Sequence, residues 1–254
     1  MLSLLFSLLS AFFQAAAVDT MNRRHFVTLC TSALALATAN PRALARPRGA
    51  LHRYARARLV DSKGQPIHAR KLAVDRCYVF FYPYAGTPCY LIRLGVLTQG
   101  ETLAMSDGTP YDWQGGVGPD GTVVAFSAIC SHLMTHPTRK ISFINYHADA
   151  DELSGRQNVI SCCAHGSVFD PARGAKVVSG PATQPLTAIA LEHEKASDEL
   201  FAVGTYGGET YRDFFRAFKR DLREEFGRRG ATREIHDDTV VRPIEDYTKQ
   251  AIRC

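Results

Sequence analysis

From Tyr78 onward the chain alternates short runs dense in β-branched and aromatic residues with breaks rich in Gly and Pro. "YVFFYPY" and "CYLIRLG" flank Ala85-Gly86-Thr87-Pro88, which predicts a hairpin. "TVVAFSAI" (122–129) reads as a buried strand, and "NVISC" (158–162) as another. Residues 167–178, 186–193 and 200–206 supply further strands, while the Gly- and Asp-rich stretch 99–121 reads as a polar loop. Many short strands between Gly/Pro turns predict an all-β, antiparallel domain. Before it, residues 46–70 are basic and show no periodicity until Leu59-Val60.

After Tyr206 the period changes. Tyr211, Phe214, Phe215, Phe218, Leu222 and Phe226 recur at helical spacing with charges between them, which predicts an amphipathic helix ending at Gly227 or Gly230. The remaining residues read as an extended tail or a second short helix. Two roles stay open for this C-terminal extension (207–254): a helix packed on its own β domain, or a subunit-docking arm.

The N-terminus has a different character. Residues 1–18 are apolar but interrupted by Ser and Gln, marginal for a membrane span. A second start at Met21 is followed by Arg23-Arg24, Phe26, a moderately apolar run, Pro41 and the small-residue site Ala43-Leu44-Ala45. This is the pattern of a twin-arginine export signal over residues 1–45, cleaved after Ala45, with Met21 expected as the true start. The expected location is therefore periplasmic, with membrane contact only if the signal is kept as an anchor. The expected organisation is this signal, a β domain over 46–206, and the extension.

Composition adds exclusions. The 254 residues are 46% hydrophobic with a formal charge of +5, enough for one domain plus extensions. No basic cluster with interleaved aromatics occurs, so nucleic acid is not an expected partner. Of the seven cysteines, Cys30 lies in the export segment. Cys77 and Cys89 flank neighbouring strands; they pair in an oxidising compartment or stay as free buried thiols, the default. Cys163 is expected to be a packed bystander.

The chemistry concentrates between Cys130 and Asp170. Cys130-Ser131-His132 and Cys162-Cys163-Ala164-His165 are two mixed Cys/His pairs, spaced C-x-H and C-x-x-H. Each can clamp one metal ion between a thiolate and an imidazole. Two thiolates on one iron and two imidazoles on the other form the ligand set of a Rieske [2Fe–2S] centre. A zinc site is the alternative, although its spacings usually put Cys with Cys and His with His. Gly166 frees the backbone after the last candidate ligand, and Ser167 places a hydroxyl within reach of a cluster sulfur. His136 and His147 read as surface residues rather than further ligands.

"CCAHGSVFD" followed by "SGPA" resembles the second box and proline loop of the Rieske family. Beyond the boxes, "FFYPYAGTPCYLIRLG", "GGVGPDGTVVAFSAICSH", "GPATQPL" and "DELFAVGTYGG" resemble the small Rieske subunit of arsenite oxidase, over roughly residues 72–210. That resemblance implies a Rieske-type antiparallel β domain with an inserted cluster-binding subdomain. It implies Cys130, His132, Cys162 and His165 as ligands of a [2Fe–2S] cluster. It also implies twin-arginine export, a large molybdenum-containing catalytic subunit as donor, and a soluble cytochrome c or cupredoxin as acceptor. The chain departs from the family where many members carry a loop-bracing disulfide: Thr135 or His136 stands at one position and Ala164 at the other. Residues 138–158, "TRKISFINYHADADELSGRQN", read as an insertion. Two other Rieske functions compete. A quinol–cytochrome c oxidoreductase subunit needs a retained N-terminal span. A Rieske oxygenase needs a mononuclear iron site, for which only His193 and His236 follow the cluster boxes.

Overall fold

The computed structural model describes residues 51–254, so the proposed export signal lies outside the described residues. The main sheet has eight strands in the order β13-β1-β12-β11-β6-β3-β2-β14. Its members are β1 (His52–Val60), β2 (Cys77–Phe81), β3 (Pro88–Arg93), β6 (Val123–Ser127), β11 (Ala188–Glu194), β12 (Glu199–Tyr206), β13 (Asp238–Val240) and β14 (Arg242–Pro243). The predicted hairpin is β2–β3, in antiparallel register from Cys77 opposite Ile92 to Phe81 opposite Pro88.

The strands of this sheet are apolar on both faces because both are buried. In β2, β3 and β6 the residues Val79, Tyr90, Ile92, Val124 and Phe126 face one core, and Phe80, Leu91, Val123 and Ala125 face another. Successive side chains of a strand point to opposite faces, so continuous apolar runs are what two cores require.

The C-terminal tail decides the shape of this sheet. β13 runs parallel to β1, with Leu59 opposite Thr239, while β14 pairs with β2. Only Val241 separates β13 from β14, and its N–H donates to Val60 O at 2.7 Å. One short segment therefore satisfies both open edges and closes the sheet on itself, removing the unpaired backbone that exposed edges present. The extension is part of the β fold rather than an appendage.

Between β6 and its neighbour β11 the chain leaves the main sheet and builds a smaller antiparallel one. Its order is β10-β9-β8-β7, from β7 (Ile144–His147), β8 (Val159–Cys162), β9 (Ser167–Asp170) and β10 (Lys176–Ser179). This is the expected inserted subdomain. Its Ile144, Ile160 and Phe169 pack with Val79, Tyr90 and Phe126 of the main sheet in one core.

Two readings are corrected here, and the segment read as an insertion is given its structure. The polar stretch 99–121 contains a two-stranded ribbon, β4 (Glu101–Ala104) and β5 (Pro110–Trp113), whose Leu103, Tyr111 and Trp113 are buried. The segment read as an insertion supplies β7, which pairs with β8 from Ile144–Cys162 to His147–Val159. The single amphipathic helix is two: α1 (Tyr211–Ala217) and α2 (Lys219–Phe226), broken at Phe218. Gly227, at φ +76, ends α2 where the sequence pattern placed the stop. A last helical turn, α3 (Ile244–Tyr247), follows β14.

The helical face read as a possible docking arm is occupied. Tyr211, Phe214 and Leu222 are buried against Ile129 and Ala231, with Tyr84 and Met134 packed alongside. Of the two roles left open, intramolecular packing is the one realised by these side chains.

Candidate metal centre

β6 runs through Ala128 and Ile129 into the first candidate loop, and β8 ends on Cys162 at the second. In the first loop the Cys130 N–H donates to Thr135 O at 2.8 Å, and the Met134 N–H returns to Cys130 O at 2.9 Å. This turn is tight enough to force Met134 to φ +59, a conformation that L side chains rarely adopt. In the second loop the Gly166 N–H donates to Cys162 O at 2.8 Å, with Gly166 itself at φ +77.

A third segment closes over both loops. The Ser131 hydroxyl donates to Gln184 O at 2.7 Å, and the Ala182 N–H donates to Ser167 Oγ at 3.2 Å. Gly180, at φ +90, lies so close to the second loop that a Cβ there would collide with Gly166 O and Ser167 Cα. Glycine is required at this position by that approach. The Gln184 side chain anchors the segment from behind, accepting from the Ser106 N–H at 2.9 Å and donating to Gly208 O at 3.3 Å.

These loops bring the four sequence-predicted side chains into two pairs, thiol with thiol and imidazole with imidazole; among the described residues no three His, Cys, Asp or Glu side chains converge on one point. Cys130 and Cys162 are fully buried free thiols, and Cys130 donates a hydrogen bond to Cys162. The His132 and His165 rings lie 4.9 Å apart, centre to centre, inclined at 80°. His165 is exposed. The Nδ1 atom of His132 is buried and has no hydrogen-bond partner. Buried polar atoms are nearly always paired; four other buried side-chain atoms among the described residues are also unpaired, and His132 Nδ1 is the one that lies on a candidate ligand. Two thiols on the inside and two imidazoles on the outside, one with an unused buried nitrogen, fit a two-iron cluster ligated by mixed residues.

The surroundings favour negative charge on sulfur. Cys162 is pulled down, first by the hydrogen bond from Cys130, then by the N–H groups of Ala164 and His165 and the Thr135 hydroxyl, against the opposing effect of burial. Cys130 is pushed up by its bond to Cys162 and by burial, and is relieved by the N–H groups of His132 and Leu133. Thr135, noted in the sequence only where a bracing cysteine is absent, is thus a donor to Cys162.

Ser167 is fully buried, and its oxygen already accepts from Ala182, which leaves its proton free to donate. Phe169 is two residues further along β9 and so shares the face of Ser167.

The other cysteines and histidines differ from expectation. Cys163 is no bystander: it forms a disulfide with Cys254 across 91 residues, with Cα atoms 5.3 Å apart. Cys77 and Cys89 remain free and buried; they sit on opposite faces of the β2–β3 hairpin, in different cores. His136 and His147 are not surface residues. His136 lies edge-on to Phe214 and Phe218, with ring centres 4.8 and 4.6 Å away. His147 is buried 3.9 Å from Asp151. Nothing local signals the burial of His136, because Phe214 and Phe218 lie far from it in sequence.

The fold and this centre define a class. Residues 95–191 match the model of the Rieske [2Fe-2S] domain, and the chain contains such a domain, which binds a [2Fe–2S] cluster. Among individual proteins, it is similar to iodate reductase subunit IdrB of Denitromonas iodatirespirans, 33% identical over 128 residues, 50% of this chain and 54% of that one. The same subunit of Pseudomonas sp. (strain SCT) is 30% identical over 128 residues, 50% of this chain and 52% of that one. The chain therefore spans about half the length of these curated relatives. A solved structure, the soluble domain of Rieske protein II (soxF) from Sulfolobus acidocaldarius, is 28% identical. The match covers 61% of this chain and 82% of that one, with a TM-score of 0.42.

Proposed function

We propose that the chain is an exported electron-transfer subunit whose cluster is held by Cys130 and Cys162 through sulfur and by His132 and His165 through imidazole nitrogen. The observation that carries this is the buried, unpartnered Nδ1 of His132, whose ring lies 4.9 Å from that of His165 and whose loop also carries the fully buried Cys130. When bound, a [2Fe–2S] cluster supplies one-electron redox chemistry. The protein's own contribution is environment. Burial of both cysteines excludes water from the sulfur side. The N–H groups of the two loops and the Thr135 and Ser167 hydroxyls neutralise charge there, which favours the reduced state. The exposed His165 edge leaves one side open to a redox partner, and Leu133, which follows His132 in the other loop, is 53% exposed.

The partner in this reading is a larger catalytic oxidoreductase subunit, of the molybdenum type that the arsenite oxidase resemblance implies. The other end of the chain of electrons is a soluble cytochrome c or cupredoxin. Both relatives are named as subunits of a reductase, which supports a multi-subunit partner and allows electrons to run towards it as well as from it. Periplasmic location by the twin-arginine route is part of the proposal, supported by Arg23-Arg24 and by the Cys163–Cys254 disulfide, since disulfides persist in oxidising compartments. The quinol-oxidoreductase alternative needs an N-terminal membrane anchor, for which the sequence of residues 26–40 is short and rather polar.

The test is electron paramagnetic resonance and iron content of the purified protein, with His132→Ala and His165→Ala alongside. The wild type is expected to hold two irons and give the low average g value of a nitrogen-ligated cluster, and either variant to lose it. Stoichiometric zinc without iron, in protein prepared anaerobically, overturns the reading. Replacing Arg23 and Arg24 with Lys is expected to leave the cluster-loaded chain in the cytoplasm.

A further inference from the structure

Residues 211–233 contain eight Lys and Arg against four Asp and Glu, and most of those acids are already engaged. Asp213 pairs with Arg216 at 2.8 Å and Arg212 at 3.9 Å, Asp221 with Arg220 at 3.6 Å, and Glu225 with Arg139 at 3.4 Å. Lys219, Arg223, Arg228 and Arg229 have no carboxylate partner among the described residues. These four line one surface cavity of about 250 Å³, together with Phe215, Leu222 and Ala231. Lys219, Leu222 and Arg223 share a face of α2 by their i, i+3, i+4 spacing. The turn at Gly227 brings Arg228 and Arg229 back to the same opening.

A concave, partly apolar surface ringed by charge of one sign concentrates counter-charge, so the missing partner is anionic. The cavity is smaller than the roughly 300–1,000 Å³ of pockets that enclose a drug-sized ligand. It has room for a side chain or two. Residues 1–50 are no candidate, because they hold five Arg and one Asp and would be repelled. A flat lipid surface fits poorly, since none of the exposed large hydrophobic residues falls within 211–233 to enter a bilayer. The apolar residues of the cavity, Phe215, Leu222 and Ala231, belong to the same cluster as Ile129 and Met134, at the entry to and within the first cluster loop. Whatever occupies the cavity is therefore held beside the cluster.

We propose that this cavity is a docking socket for an acidic segment of the larger catalytic subunit, one apolar side chain of which enters among Phe215, Leu222 and Ala231. The proposal rests on the electron-transfer reading above and adds the surface and the chemistry by which the partner is held.

The experiment uses the full cluster-loaded chain and the larger catalytic oxidoreductase subunit of the proposal above. Carbodiimide coupling joins a lysine amine to a carboxylate in direct contact with it, with no spacer. Mass spectrometry is expected to find Lys219 linked to an Asp or Glu of the large subunit. Arg223→Glu with Arg228→Glu is expected to weaken association at least tenfold while leaving the visible spectrum of the cluster unchanged; the milder Ala pair checks that folding is intact. Unchanged affinity in the charge-reversed pair, or coupling that never reaches Lys219, overturns the socket but leaves the electron-transfer reading standing. So does Lys219 coupled to a second copy of this chain. The same holds if the paired variant loses only its binding to phosphatidylglycerol vesicles. A wild-type chain that does not associate with the large subunit overturns both.

Discussion

Cys254 is joined through sulfur to Cys163, the residue that follows Cys162 in the second cluster loop. The join is reinforced by backbone pairing. Ser142 and Ile252 exchange hydrogen bonds with the opposite strand: the Ser142 N–H donates to Gln250 O at 2.8 Å and the Ile252 N–H to Ser142 O at 2.9 Å. Asn145 adds a side-chain bond to Ile252 O at 2.8 Å. The Cys163 N–H itself donates to Phe143 O at 2.7 Å. The tail thus straps the second loop from outside, in a chain where Thr135 or His136 and Ala164 stand at the positions of the family's loop-to-loop disulfide.

Cutting this strap has a calculable cost. Closing a loop of 91 residues stabilises by about 4–5 kcal/mol on chain entropy alone, and measured values for native disulfides are about 2–5 kcal/mol. Cys254→Ser is therefore expected to lower stability by about 2–4 kcal/mol and to shorten the lifetime of the bound cluster. Denaturant titration and the decay of visible absorbance in the presence of a chelator measure the two effects. An equally long-lived cluster in the variant means the strap does not restrain the loop.

The potential of the cluster is expected to follow two side chains of β9. Ser167→Ala removes a donor and lowers the potential; Phe169→Tyr adds one on the same face and raises it. A hydrogen bond worth about 1 kcal/mol corresponds to roughly 40 mV for one electron. Voltammetry of both variants decides the point, and no shift in either means that neither side chain faces the sulfurs.

Acid is expected to loosen the helices from the first loop. Burial pushes the His136 imidazole below its usual value, partly offset by Met134 O and by Asp221. The folded state then binds fewer protons than the unfolded chain. Stability is full above the unfolded value of about 6.5 and falls as pH drops below it towards the folded value. His147, also lowered by burial, acts with the same sign. His136→Phe is expected to reduce the loss of stability between about pH 6.5 and 5 without abolishing it. Denaturation midpoints across that range give the slopes; equal slopes in both proteins assign the effect elsewhere.

Phe214 is fully buried and meets His136, Phe215 and Phe218. Phe214→Ala is expected to cost about 3–5 kcal/mol and to release α1 from the β domain. Proteolysis between residues 207 and 233 reads the release directly. If the helices stay protected in the variant, their packing rests on the other aromatic residues.

The chain's own pattern determined the elements that are locally encoded. Two-sided apolar runs gave β2, β3, β6, β8 and β12, because a strand buried on both faces needs no partner in view to be recognisable. The four candidate ligands were equally legible, since C-x-H and C-x-x-H place thiol and imidazole in one loop whatever lies around them. Short or polar segments were not: β13 and β14 exist because distant strands satisfy their backbone groups, β4 and β5 pair only with each other, and two to four residues carry too little periodicity to show any of them or β7. The same limit hid the pairing of Cys163 with Cys254 and the burial of His136 and His147. Contacts across 91 residues are made by folding, and only tertiary structure turned the tail from an appendage into the segment that closes the sheet and straps the cluster loop.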